Sequence, residues 1–269
     1  MVPAKRVQTP NVPLPQLYYH GQNMATYTIQ LKNEDPWIES TIFYLYQAAP
    51  ACKAPVYAAV CQSVAIDAGS TGELKVIAAP YAVVGTTKNG LSDPTEPIVI
   101  ENLDSRPVQL TKRPVKGSVV RIDRGSGENS APYFDDGGAS TTTADASFRI
   151  SASENAQPLS PEESIVMGLG AQNPITGEIV PVALVPAQAG KTLTFTPELL
   201  RYYIALGDFQ HSKFERADWV TYDWFTEVDF RGKSPGSRVA LVWRRDEEGN
   251  MHWIREDGVE AEREPEAME

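Results

Sequence analysis

Lys191–Phe214, KTLTFTPELLRYYIALGDFQHSKF, decides the fold class: it combines the strongest strand patterning in the chain, a proline break and a dense mix of aromatic and ionisable side chains. Leu193 and Phe195 fall on one face of a short strand, with Thr192, Thr194 and Thr196 on the other. After Pro197, the residues Tyr202, Ile204 and Leu206 alternate with Tyr203 and Ala205, and Gly207-Asp208 is the expected stop. Pro197–Tyr203 also fits a helix of one or two turns, because five apolar residues in a row do not separate the two periods. Phe209, His211, Lys213 and Phe214 then decorate an expected loop with side chains able to do chemistry.

Outward from this stretch the same grammar repeats. Thr26–Lys32 alternates Tyr27, Ile29 and Leu31 with polar residues and runs into the turn Asn33-Glu34-Asp35-Pro36. Ser40–Gln47 is apolar on both faces, which predicts a central strand or one that also lines a cavity. Val56–Val64, Glu73–Ala78, Tyr81–Gly85, Pro97–Ile100, Ser118–Asp123, Phe148–Ser151, Ile165–Leu169 and Glu178–Val185 are further strand candidates, the last interrupted by Pro181. Arg238–Trp243 and Met251–Arg255 flank Asp246–Asn250 as the clearest hairpin. Residues 101–117 read as a basic linker, Gly125–Thr143 as the least ordered stretch, and Pro161–Ile165 as a second short helix candidate. Many short strands between turn signals, without a fixed repeat, predict an all-β fold, an antiparallel β-sandwich with long loops.

The expected organisation is one β-sandwich domain over residues 25–255 between two unlike ends. Pro3, Pro10, Pro13 and Pro15 make residues 1–24 an extended arm, with Leu17-Tyr18-Tyr19 placed to dock it. Residues 256–269 hold seven acids against one arginine, so this disordered acidic tail carries −6 of the chain's net −11. An acidic body with an acidic tail predicts no nucleic-acid partner, since phosphate neutralisation needs a surplus of lysine and arginine. No apolar run reaches the ~18 residues of a membrane span. The N-terminus lacks a secretory apolar core, and together these predict a cytoplasmic protein. Cys52 and Cys61 form neither a disulfide framework nor a metal knuckle; buried thiols come first, a hairpin disulfide second and a redox role last.

Three pieces of sequence, TYTIQLKN, FYLYQAAP and TLTFTP with YYIALGDF, together resemble a loosely defined group of fungal and bacterial β-rich proteins without assigned chemistry. They cover about a fifth of the chain. The resemblance implies a β-sandwich containing these regions and carries over no functional residue.

Chemistry-bearing motifs are sparse. His20, His211 and His252 have no HxH or HxxxH spacing, so no metal site is expected. Asp135-Asp136 before Gly137-Gly138 lacks the alternating oxygen ligands of a calcium loop. GxSxG and GxxxxGKS/T are absent, and Gly168-Leu169-Gly170 is a lone pair without a dinucleotide fingerprint, so no cofactor is expected. What remains is aromatic density: Tyr44, Tyr46, Tyr202, Tyr203, Trp219 and Trp224, with Tyr222 and Phe225, are candidates for lining an apolar pocket when they are not core packing. Asp208 and His211 supply a carboxylate and an imidazole beside them. The leading expectation is a cofactor-independent β-sandwich that binds an apolar or aromatic small molecule, or a partner, in a concave aromatic site. An alternative is a cofactor-free isomerase or cyclase that folds an apolar, natural-product-like substrate, with His211 and Asp208 moving the proton. A third is a self-associating structural protein, a homo-oligomer whose arm crosses to a neighbour.

Overall fold

The computed structural model describes residues 24–88, 99–125, 127, 130–135, 141–142, 144–206, 214–216 and 225–256, with 141–142 and 214–216 as backbone only. In chain order the strands are β1 (Thr26–Glu34), β2 (Ser40–Gln47), β3 (Tyr57–Asp67), β4 (Thr71–Ile77), β5 (Tyr81–Lys88) and β6 (Ile100–Pro107). Next come β7 (Gly117–Arg124), β8 (Pro132–Asp135), β9 (Thr141–Thr142), β10 (Phe148–Ala152), β11 (Glu163–Gln172) and β12 (Ile179–Pro186). The last six are β13 (Thr192–Phe195), β14 (Arg201–Leu206), β15 (Phe214–Arg216), β16 (Thr226–Asp229), β17 (Arg238–Arg245) and β18 (Met251–Arg255). No helix occurs among the described residues.

These strands make three sheets. The largest runs β16-β14-β2-β3-β12-β11-β5-β6, with β15 added against β3. A second runs β18-β17-β1-β4, and a third runs β13-β10-β7-β8 with β9 against β7. Pairing is antiparallel except between β1 and β17 and between β7 and β10. One contiguous hydrophobic cluster draws on all three sheets, including Ile29 and Leu31 of β1, Phe43 and Leu45 of β2, Met167 and Leu169 of β11, and Phe148 and Phe195 of the third sheet. The final hairpin closes over β2 through Trp253, whose ring lies 5.7 Å from Phe43 and 5.0 Å from Trp243. The outer face of the largest sheet carries two smaller clusters, around Val83 and Leu184 and around Tyr44 and Tyr46.

Several local expectations are corrected. The two strands of Lys191–Phe214 part at Pro197 into different sheets, β13 joining the third and β14 the largest. Leu199 and Leu200 sit at a turn leading into β14, and Glu163 opens a strand, so neither short helix forms. The supposed basic linker contains β6, whose polar sequence is that of a sheet edge and whose Asn102 has a left-handed φ of 51° beside a bulge in the β5 ladder. The Gly/Ser/Thr-rich stretch contains β8 and β9. Both cysteines are free, the first of the readings made from sequence, with Cys61 buried and Cys52 half-buried. Apart from Met24 and Glu256, the arm and the acidic tail lie outside the described residues.

Candidate functional site: a groove between splayed strands

The aromatic residues singled out from sequence are divided by strand parity. Tyr44 and Tyr46 of β2 pair with Ala205 and Tyr203 of β14, and these four share the outer face with Phe225. Tyr46 meets Phe225 edge-on at 5.7 Å. Tyr202 points the other way, into the main core, where it packs on Phe230 and donates its hydroxyl to the Leu199 carbonyl at 2.9 Å. At 3% exposure Tyr202 is a core residue, and burial pushes its phenol well above the ordinary value. His211, Asp208, Trp219 and Trp224 lie outside the described residues, as do His20 and Tyr222. His252 Nε2 is 2.7 Å from Asp246 Oδ2 inside the last hairpin. Burial raises the Asp246 carboxyl, but hydrogen bonds from His252 and Asn250 outweigh it and hold the group at about 2. Burial pushes the Cys61 thiol up to about 12, and its Sγ donates to the Leu45 carbonyl at 3.1 Å, so this cysteine is no nucleophile. No group of three metal-ligating side chains occurs among the described residues.

The concave feature lies elsewhere, and the backbone creates it. A short turn, Ala68–Ser70, joins β3 to β4, with Gly69 at φ 75° and Ser70 N–H donating to the Asp67 carbonyl. Two strands joined so tightly would ordinarily form a hairpin, yet β3 pairs with β2 while β4 pairs with β1. They therefore open as a V. Its apex is fixed by Asn33, which has no exposed surface: the side-chain amide donates to Thr41 Oγ1 and to the Ile66 carbonyl, and the amide oxygen accepts from Asp35 N–H. One crossbar spans the arms, from Gln62 Nε2 to the Lys75 carbonyl at 2.7 Å. Gly72 permits the close approach at the apex, since a Cβ there would stand 2.8 Å from Ile66 Cδ1.

On its other side β3 parts from β12 after only two pairs, Ala183 with Ala58 and Leu184 with Tyr57. Pro181, which has no N–H to offer a ladder, lies two residues beyond the last of them. The V and this parting together open a groove of about 830 Å³. Val60 and Val64 of β3 and Leu74 of β4 form one wall; Ile100 and Leu103 of β6, with Ile175 and Val180 around the β11–β12 turn, form the other. Gln62, Ser63, Glu73, Lys75 and Asn173 are the polar groups at its rim. Leu103 is 40% exposed, Val99 57% and Ile175 87%, so the groove presents apolar side chains to solvent. A separate void of only about 10 Å³ shares Cys61, Gln62, Asn173 and Val180 with it and is bounded also by Val76, Ile77 and Tyr202.

None of the aromatic candidates lines the main groove. The one signal of it in the sequence is Pro181, a proline inside a strand-like run; nothing local marks Val60 or Ile175 as wall residues. The arrangement holds no paired acid and base among the described residues, and its chemistry is that of a trough with an apolar floor and strand backbone along its edge. No family model matches the chain, and neither a curated protein nor a solved structure matches it.

Proposed function

We propose that the protein is a cofactor-independent binding protein whose groove takes an extended apolar segment of a polypeptide partner. The observation that carries this reading is the V between β3 and β4. β4 ends its sheet, so one edge of it pairs with β1 and the other faces the groove. The Lys75 carbonyl points out of that edge, where it accepts from Gln62. A strand edge beside a row of apolar pockets is the form that β-strand addition uses: backbone bonds supply affinity and alternate side chains supply selectivity. The exposed Val99, Leu103 and Ile175 support the same reading, because solvent-facing apolar clusters mark interaction surfaces.

Fluorescence anisotropy with labelled peptides of about ten residues, alternating apolar and polar positions, tests it. The panel is run on the wild-type chain and on single variants of the groove. Binding is expected with dissociation constants of about 1 µM to 1 mM. Leu103→Asp and Ile175→Asp should weaken it at least about tenfold. Tyr133→Ala, an exposed aromatic outside the groove, should leave it unchanged. Absence of binding by the wild-type chain, or binding indifferent to Leu103 and Ile175, overturns the reading.

A further inference from the structure

We infer that the seam between the largest sheet and the second holds a separate site, a pocket for the phosphate group of a small ligand, built around Arg255. The pocket has a volume of about 250 Å³ and shares no lining residue with the groove. Asp229 at the end of β16 and Lys233 in the turn after it line it together with Arg238, Val239 and Ala240 of β17 and Arg255 of β18.

Strand parity brings Arg255 there. Trp253 faces the core, and Arg255, two residues on, falls on the same face, directly opposite the buried Leu241 of β17. A guanidinium thus stands at the margin of the core, in the row that Leu241, Trp243 and Trp253 fill elsewhere. Its Nε is out of solvent contact and has no acceptor among the described residues. A buried donor on a charged group is costly until an acceptor reaches it. Arg201 Nε is enclosed in the same way but has the Glu227 carboxylate at 3.3 Å. Arg255 has no ion-pair partner among the described residues.

The charges around it leave cations available. The Asp229 carboxylate accepts from Arg231 Nε, Nη2 and backbone N–H, so it is neutralised from outside the pocket. Arg238 is oriented by donating to Gln30 through Nη1 and to Glu73 through Nη2. Lys233 has no ion-pair partner among the described residues. Its turn is fixed by its own N–H to the Phe230 carbonyl and by Gly236 N–H to the Thr26 carbonyl, with Gly232 and Gly236 at left-handed φ of 75° and 84°. Glu256 adds an exposed carboxylate to the lining. Two unpaired cations beside a third, oriented one match a dianion better than a single carboxylate. A phosphate group offers oxygens both to the planar fork of arginine and to the point charge of lysine. The chain's net charge of −11 acts weakly here, since exposed charges beyond about 8 Å are screened at physiological salt. At about 30 Å³ per water the pocket has the room of about eight waters, so the phosphate enters with a small group attached.

Thermal melting of the full chain in sodium phosphate, at an ionic strength held constant with sodium chloride, tests the site, and phosphorus NMR line broadening reads bound phosphate directly. The melting temperature is expected to rise and saturate, with an apparent dissociation constant of about 0.1–10 mM. Arg255→Gln, which keeps most of the stem and loses the charge, should weaken binding at least about tenfold, and Lys233→Ala at least about threefold. If Arg255→Gln does not fold, Lys233→Ala keeps the test, since that residue lies on an exposed turn. Arg121→Gln, at an exposed arginine of β7 outside the pocket, should change nothing. Sodium acetate should bind at least about tenfold more weakly than phosphate. The same melting temperature in chloride alone, with no line broadening, means that water satisfies Arg255 Nε and overturns the site. Phosphate binding indifferent to both Arg255 and Lys233 lies elsewhere and overturns it as well. Acetate bound as tightly as phosphate overturns the assignment to a phosphate group.

Discussion

Asn33 and Arg124 show how single buried polar residues hold this molecule. Asn33 ties β1 to β2 and β3 at the apex of the V, and both ends of its amide are satisfied. Asn33→Ala removes the acceptor of the buried Asp35 N–H and should cost about 2–3 kcal/mol in urea unfolding. A change under about 0.5 kcal/mol would mean that water replaces the amide and that the apex is not fixed this way. Arg124 of β7 is 6% exposed and reaches across to β11: it donates to both carboxylate oxygens of Glu163 at 2.8 Å, to the Ser130 carbonyl and to the Gln157 carbonyl. Glu163→Ala leaves that guanidinium half-paired and should cost about 3–5 kcal/mol. The Arg124 hydrogen bonds hold the Glu163 carboxyl below its ordinary value of 4.5. A depressed carboxyl pKa contributes stability that is fully present above the unfolded value and is lost as pH falls through the folded one. The urea midpoint should therefore fall as pH drops below about 4.5, and Glu163→Gln should flatten that acid limb. A variant with the wild-type acid slope would show that other carboxylates control it.

Among the elements, β11 and β12 are the pair the groove depends on, since their connecting turn presents Ile175. At Gly168 the two strands approach so closely that a Cβ would sit 2.0 Å from the Ala183 carbonyl oxygen. That atom is backbone and has no rotamer to yield, so Gly168→Ala must push the strands apart. It should cost at least about 2 kcal/mol and loosen the groove wall with it. Thermal melting together with peptide affinity checks this, and an unchanged melting temperature would show that the ladder shifts freely. β13 and β10 are held differently, by Phe195 stacked on Phe148 at 5.3 Å with both rings fully buried. Phe195→Ala should cost about 3–5 kcal/mol through lost burial and the cavity left behind.

At the scale of the whole molecule, the two ends of the described chain meet. β1 pairs in parallel with β17 along seven positions, Thr28 with Arg238 through Glu34 with Arg244. β17 is thus an interior strand of the second sheet with β18 at its edge, and Trp253 and Trp243 seal the core over Phe43. A chain ending before Arg238 should lose its cooperative unfolding transition, measured by tryptophan fluorescence in urea. Removing Glu260–Glu269 instead should leave the melting temperature nearly unchanged, because that acidic run has little apolar surface to bury. A stable core without the hairpin would show that β1 and β4 fold on β2 and β3 alone.

By itself the sequence determined the all-β class and most strand positions, because period-two patterning and turn residues are local signals. β2 was legible as a central strand from Phe43 and Tyr44 on opposite faces, and the β17–β18 hairpin from two apolar runs around Asp246–Asn250. β6 was not, since an edge strand with Glu101, Asn102, Asp104 and Ser105 reads like a loop. Alternation separated Tyr202 from Tyr203, but only the packed sheets decided that Tyr202 faces the main core and Tyr203 the outer cluster. Partner choice was likewise tertiary: nothing in Asp67–Thr71 says that β3 and β4 will part instead of pairing, because that depends on β1 and β2 offering their edges first. The groove follows from that parting. Val60, Leu103 and Ile175 lie far apart along the chain, and whether an apolar side chain is covered or left facing solvent is set by neighbours that only the folded chain brings to it.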